Sequence, residues 1–115
     1  ILVDTAHNPD GVKHLTKFVK TLKYRRLFII FSALIEKDSK SMASYLPEYH
    51  KLYLCKIKEP RAREPKIIKS MIGKGIIVPE VKDAIEKVQK QLKEDDLLLI
   101  TGSMFLVGEA LNLFK

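Results

Sequence analysis

The sequence predicts an α/β chain, a Rossmann-like three-layer sandwich with a mostly parallel sheet of about five strands and helices on both faces. Two observations carry the prediction. Short apolar runs alternate five times with longer stretches of helical period, and such alternation joins parallel strands through right-handed crossovers. The runs are also nearly continuous in Leu, Ile, Val and Phe, as expected of strands covered on both faces.

"ILV" (1–3) reads as the first strand. A helix over 9–23 follows, with Val12, Leu15, Phe18, Val19 and Leu22 on one side. Asn8 suits its N-cap, and Pro9 fits the first helical position because no hydrogen bond is lost there. "RLFIIFS" (26–32) is the second strand and "KLYLCKI" (51–57) the third, with a short helix between them at 39–46. A second short helix, 65–72, leads to "GIIV" (75–78). Val81, Ala84, Ile85, Val88 and Leu92 mark a helix over 80–93, before the fifth strand, "DLLLIT" (96–101). Met104, Val107, Ala110 and Leu111 mark the last helix. "KEPRAREP" (58–65) carries two prolines and alternating charges, which predicts an exposed, mobile loop with little apolar surface to anchor it.

The composition limits the function. With 115 residues, 46% hydrophobic and 30% charged, the chain reads as one globular domain, not a disordered tail. The net charge is +7, but Lys13, Lys17, Lys20, Lys23, Lys87, Lys90 and Lys93 are spread over helix surfaces as a solvated face. No pattern of RNA-stacking aromatics occurs, so no nucleic-acid partner is expected. Cys55 is alone, which excludes an intrachain disulfide and suggests a small core residue. His7, His14 and His50 lack metal-ligand spacing and no cysteines pair, so no metal site is expected. There is neither a signal peptide nor an apolar run long enough for a bilayer, which predicts a cytoplasmic protein without a membrane partner. The chain begins at Ile1, inside a strand and without Met, as a piece of a longer polypeptide would.

In an open parallel sheet, ligands bind beyond the carboxyl ends of the strands. Asp4 stands at the first such end, followed by "TAHNP" with His7 and Asn8. A carboxylate there has lost part of its hydration and needs a donor. A backbone amide of its own turn would serve, and so would the hydroxyls of a ribose. "SALIEKD" (32–38) follows the second strand and holds Ser32, Lys37 and Asp38, while Lys56, Arg61 and Arg63 follow the third. "TGSMF" (101–105) ends the fifth strand. Gly102 permits a tight backbone there, Thr101 and Ser103 offer hydroxyls, and the helix start favours a carboxylate or phosphate, although Ser103 is equally suited to capping that helix. No phosphate-cradling P-loop motif occurs in the chain. An Asp4–His7–Ser103 hydrolase triad is disfavoured, because Thr101 and Phe105 break the Gly-x-Ser-x-Gly elbow.

Three spaced pieces, "DTAHNPDG" (4–11), "FSALIEKD" (31–38) and "LLITGSMFLVGE" (98–109), together resemble the C-terminal domain of folylpolyglutamate synthase and dihydrofolate synthase, within the Mur ligase superfamily. The resemblance covers the whole chain, 1–115, in order. It implies an ATP-dependent amide ligase in which a carboxylate becomes an acyl phosphate that the amine of glutamate attacks. It implies that a P-loop, Mg and much of the pterin site belong to a larger N-terminal domain, so that this domain is inactive alone. By that likeness Asp4 and His7 would contact the nucleotide, with Asp4 on the ribose. His7, Asn8, Thr101, Gly102 and Ser103 would lie near glutamate, and Ser32, Lys37 and Asp38 would face the domain cleft. No residue is assigned as catalytic acid or base. The implied partners are ATP, glutamate, folate or dihydropteroate, and the chain's own N-terminal P-loop domain. Two positions depart from the family pattern, with Ser32 for Gly and Glu36 for Asp. Two alternatives remain: a Mur-superfamily ligase with another acceptor, and a stand-alone basic α/β module binding nucleotide or nucleic acid.

Overall fold

Five parallel strands organise residues 1–114, the part of the chain that the computed structural model describes. They are β1 (Leu2–Val3), β2 (Leu27–Phe31), β3 (Lys51–Leu54), β4 (Ile76–Ile77) and β5 (Leu97–Thr101). Their order across the sheet is β1-β5-β2-β3-β4. Helices α1 (Pro9–Val19), α2 (Ser39–Ser44) and α3 (Pro65–Ile72) pack in a row on one face, and α4 (Val81–Gln91) and α5 (Met104–Leu113) cover the other. The α/β three-layer prediction holds.

The topology follows from handedness. From β1 to β4 the chain advances in one direction, with its crossovers on one face. α4 then runs back on the opposite face and delivers β5 between β1 and β2. Reversing direction while keeping a right-handed crossover requires that change of face.

β2 and β5 are in register from Leu27↔Leu97 to Phe31↔Thr101. Phe28, Ile30, Leu98 and Ile100 point into the core beneath α4 and α5, while Ile29, Phe31 and Leu99 point toward α1–α3. Every β2 side chain is buried, which is why the strand reads as an unbroken apolar run. Each such Leu, Ile or Phe contributes about 1.5–3 kcal/mol by leaving water. The edge strands are thinner, and Ile76 and Ile77 of β4 remain exposed.

The structure corrects three details. α1 stops at Val19, because Thr21 folds its amide (2.9 Å) and hydroxyl (2.6 Å) back onto the Phe18 carbonyl, and Phe18 itself faces solvent. In α5 the buried residues are Leu106, Val107 and Ala110, while Met104 and Leu111 are exposed. A helix that is apolar on most sides has no stripe to announce its inner face. "KEPRAREP" is anchored rather than loose. Ala62 is buried and bridges Leu34, Ile35 N–H donates to the Arg61 carbonyl at 2.8 Å, and Arg63 N–H donates to the Ala33 carbonyl at 2.9 Å. Backbone pairing supplies an anchorage that the loop's composition does not announce.

At the amino end of the sheet the polar groups close on one another. Arg26 forks onto Asp96, with its nearest contact at 2.7 Å, and also donates to the Gln91 carbonyl at 2.9 Å. Gln91 donates to the Tyr53 hydroxyl and accepts from Lys51. The hydrogen bonds from Arg26 hold the Asp96 carboxyl well below the usual carboxylate range. Among the described residues, no helix is long and apolar enough to cross a membrane.

Candidate functional site

β1, β5 and β2 are neighbours, yet the chain leaves β1 and β2 toward the α1–α3 face and leaves β5 toward the α5 face. Strands whose exits diverge leave a crevice between their loops. Residues 4–8, 32–38 and 101–105 are far apart in sequence, and this strand order brings them to one end of the sheet. Backbone bonds join the first and last loops, with Asp4 N–H donating to the Ile100 carbonyl at 3.0 Å and Gly102 N–H to the Ala6 carbonyl at 3.1 Å.

Gly102 lets the third loop lie against the second. Its φ is +117°, and a Cβ there would stand 2.1 Å from the Ser32 carbonyl oxygen and 2.9 Å from Phe31 Cδ1. No other residue fits both the dihedral and the space.

Each polar residue of the first loop has one group engaged locally. Asp4 is half-buried, and its Oδ1 accepts from Ala6 N–H at 2.8 Å, the local turn that the sequence allowed. Its second oxygen retains acceptor capacity. His7 is exposed, and its Nδ1 lies 3.0 Å from the Thr5 carbonyl. A carbonyl only accepts, so Nδ1 carries the proton, and in the neutral ring Nε2 is an acceptor. Asn8 caps α1 by accepting from Gly11 N–H at 2.7 Å, and Ser103 caps α5 by accepting from Phe105 N–H at 3.1 Å.

A cleft of about 280 Å³ opens between these loops. His7, Gly102 and Ser103 border it from one side, Glu36 and Lys37 from the other, and Arg61 reaches it from the β3–α3 connection. Leu34, Met104 and Phe105 form an apolar wall. Arg61 pairs with Glu36 at 3.1 Å and with Glu59 at 3.3 Å, and its guanidinium lies 6.0 Å from the Phe105 ring centre. The Lys37 ammonium has no ion pair among the described residues. A small molecule with an anionic group and an apolar stem suits this lining.

The other expected site residues lie around the cleft, not in its wall. Ser32 and Thr101 are wholly buried beneath it, and their hydroxyls find no partner in the protein. Asp38 is exposed and caps α2 by accepting from Ser41 N–H at 3.0 Å, a bond that lowers its pKa. Lys56 stands outside the cleft, paired with Glu64 at 2.6 Å. Burial pushes the Cys55 thiol up to about 12, so it is inert, as a core cysteine should be. Sequence reading missed Leu34, Met104 and Phe105 as a wall. Their one signal is that two large apolar residues directly follow the Ser103 cap, where a first helical turn stands open. A second hollow, of about 330 Å³, lies by Tyr49 and Ile72 at the amino ends of β3 and β4, away from every motif residue. Among the described residues no three His, Cys, Asp or Glu converge as a metal site.

The sequence pattern of the Mur ligase, glutamate ligase domain, matches residues 1–104. The chain belongs to that family. It is 29% identical over 115 residues to the probable bifunctional folylpolyglutamate synthase/dihydropteroate synthase of Haloferax volcanii, covering 96% of this chain and 14% of that protein. It is also 29% identical over 113 residues to the UDP-N-acetylmuramoyl-L-alanyl-D-glutamate–2,6-diaminopimelate ligase of Geobacillus kaustophilus, covering 89% of this chain and 23% of that one. Among solved structures, Escherichia coli FolC in complex with DHPP and ADP superposes with a TM-score of 0.88 at 24% identity, over 97% of this chain and 28% of that one. The chain therefore spans a minor part of the length of each protein it matches. The Mur ligase domain and its fold, implied by the three motifs, are thereby borne out.

Proposed function

We propose that the chain is the nucleotide- and amino-acid-facing domain of an ATP-dependent amide ligase that adds glutamate to the carboxylate of a folate or dihydropteroate. One observation carries this reading. Three polar loops from distant parts of the sequence border a single cleft that offers an unpaired cation, a helix start and an apolar wall. The names of the family and of the Haloferax volcanii relative supply the reaction class.

In the reaction, ATP supplies the activation. The substrate carboxylate takes the terminal phosphoryl group and ADP departs. The glutamate amine then forms the amide bond to the acyl carbon as phosphate leaves and the nitrogen loses a proton. This chain's residues bind and orient. Asp4 accepts a ribose hydroxyl on the oxygen that its own turn leaves open. Lys37 draws the anionic acceptor into the cleft, and the capped start of α5 turns its amides toward a carboxylate or phosphate. His7, Asn8, Thr101, Gly102 and Ser103 frame the glutamate side, with Ser32 and Asp38 supporting the loop that carries Lys37. The net charge of +7 favours anionic substrates at longer range. By the family resemblance, Mg and the phosphates fall to an N-terminal P-loop domain, which would be this domain's partner.

The test uses the full-length protein that carries this sequence, with ATP, glutamate, and dihydropteroate or folate. The expected result is ADP release together with a product heavier by one glutamate, and no ATP turnover by residues 1–115 alone. A second reading has its own support, the equally identical diaminopimelate ligase relative. A full-length protein that prefers 2,6-diaminopimelate and a UDP-linked muramoyl peptide would replace the folate reading with that one.

A further inference from the structure

Arg63 is half-buried and has no carboxylate partner among the described residues. A guanidinium in that position is costly unless its N–H groups find acceptors. Its Nη2 finds them on one short segment, while its Nε is buried without a partner in the protein. Its Nη2 donates to the carbonyl of Ile35 and, at 3.3 Å, to that of Lys37, while its backbone N–H donates to Ala33 at 2.9 Å. One residue thus holds three alternate carbonyls, at positions 33, 35 and 37. The two backbone bonds across the Leu34–Ala62 bridge already tie the β3–α3 connection to the loop after β2. The side-chain Nη2 extends that grip to residues 35–37, the stretch whose Glu36 and Lys37 line the cleft.

We propose that Arg63 is a positioning residue, which sets the 35–37 turn so that Glu36 and Lys37 face the cleft. It acts from behind the turn, while Arg61, two residues earlier, stands in the cleft itself. Its consequence for turnover rests on the ligase reading, but its effect on the turn does not. Lysine reproduces the contact only in part, because its ammonium rides on a flexible stem, whereas the planar guanidinium fixes the directions of the two Nη2 hydrogens.

Two variants, Arg63→Met and Arg63→Lys, test this in the full-length protein by amide hydrogen exchange and steady-state kinetics. In Arg63→Met, exchange at the Ile35 and Lys37 amides is expected to quicken by about tenfold or more, the scale of a lost charge-assisted hydrogen bond. Ile29 and Leu99, in the sheet centre, should keep their wild-type rates. KM for the amino-acid acceptor should rise by about tenfold with kcat changed by less than about threefold, and Arg63→Lys should fall between. Unchanged exchange at 35–37 overturns the proposal, and so does a quickening shared equally by Ile29 and Leu99, which would mark a purely global stabiliser. A wild-type protein that adds no amino acid would sink the ligase reading, and the exchange comparison would still decide what Arg63 does.

Discussion

The two ends of the sheet handle polar groups in opposite ways. At the amino end, Arg26, Asp96, Gln91, Tyr53 and Lys51 bind one another in a closed set. At the carboxyl end, Asp4, His7, Asn8 and Ser103 each engage one group with the backbone of their own loop. Asp4 and His7 keep a second acceptor, Lys37 stays unpaired in the described structure, and the hydroxyls of Ser32, Ser39 and Thr101 are buried without a partner. The division is not absolute, since the Tyr49 hydroxyl is orphaned at the amino end. A closed set stabilises a fold because every buried charge is answered. Loops held by one group and open at another are ready for a ligand.

The largest expected effect comes where both roles meet. Gly102→Ala places a methyl against the Ser32 carbonyl and Phe31 at a positive φ, so β5 must shift relative to β2. Urea denaturation should show a loss of about 3 kcal/mol or more, if the variant folds at all, with the ligase activity proposed for the full-length protein abolished. A loss under about 1 kcal/mol would mean that the loop relaxes freely and that the cleft is less constrained than its geometry implies.

Asp96→Ala should lower thermal stability without a local effect on substrate KM, since it leaves Arg26 half-buried and uncompensated. The pH dependence follows from the direction of the Asp96 shift. Its folded-state pKa is depressed, so its stabilisation is fully present above the ordinary carboxylate pKa of about 4 and is lost as pH falls through the lower folded value. The wild type should therefore lose stability below about pH 4, and Asp96→Asn should show a flatter acid limb. Equal acid limbs would assign acid unfolding to other carboxylates, of which Asp38 is the next in line.

The smallest effect on stability should come from Asp4→Asn. The substituted side chain keeps one oxygen for the Ala6 amide but no charge. Melting should move by less than about 2 °C, while under the proposed function the full-length protein's KM for ATP rises by about tenfold. A large melting shift with unchanged KM would place Asp4 with the closed amino-end set instead.

Much of this was legible without coordinates. The apolar runs at 26–32 and 96–101 announced buried parallel strands, because strands covered on both faces need no polar alternation. Pro9 behind Asn8, and Ser103 behind a glycine, announced two helix starts through local hydrogen bonding alone. What stayed hidden depends on contacts between distant residues. Nothing local in "KEPRAREP" says that Ile35 and Ala33 will pair with it. Nothing in α5 says that Leu106 turns inward while Met104 turns out to a cleft.

The sequence by itself determined the elements, their parallel pairing and the caps that start α1 and α5, since hydrophobic period and hydrogen-bonding side chains act over a few residues. Only the tertiary structure decided that β5 lies between β1 and β2. That placement comes from α4 crossing back over the opposite face, a packing choice made between whole layers. It is what brings Asp4, Lys37 and Ser103, spread across about a hundred residues, to one end of the sheet.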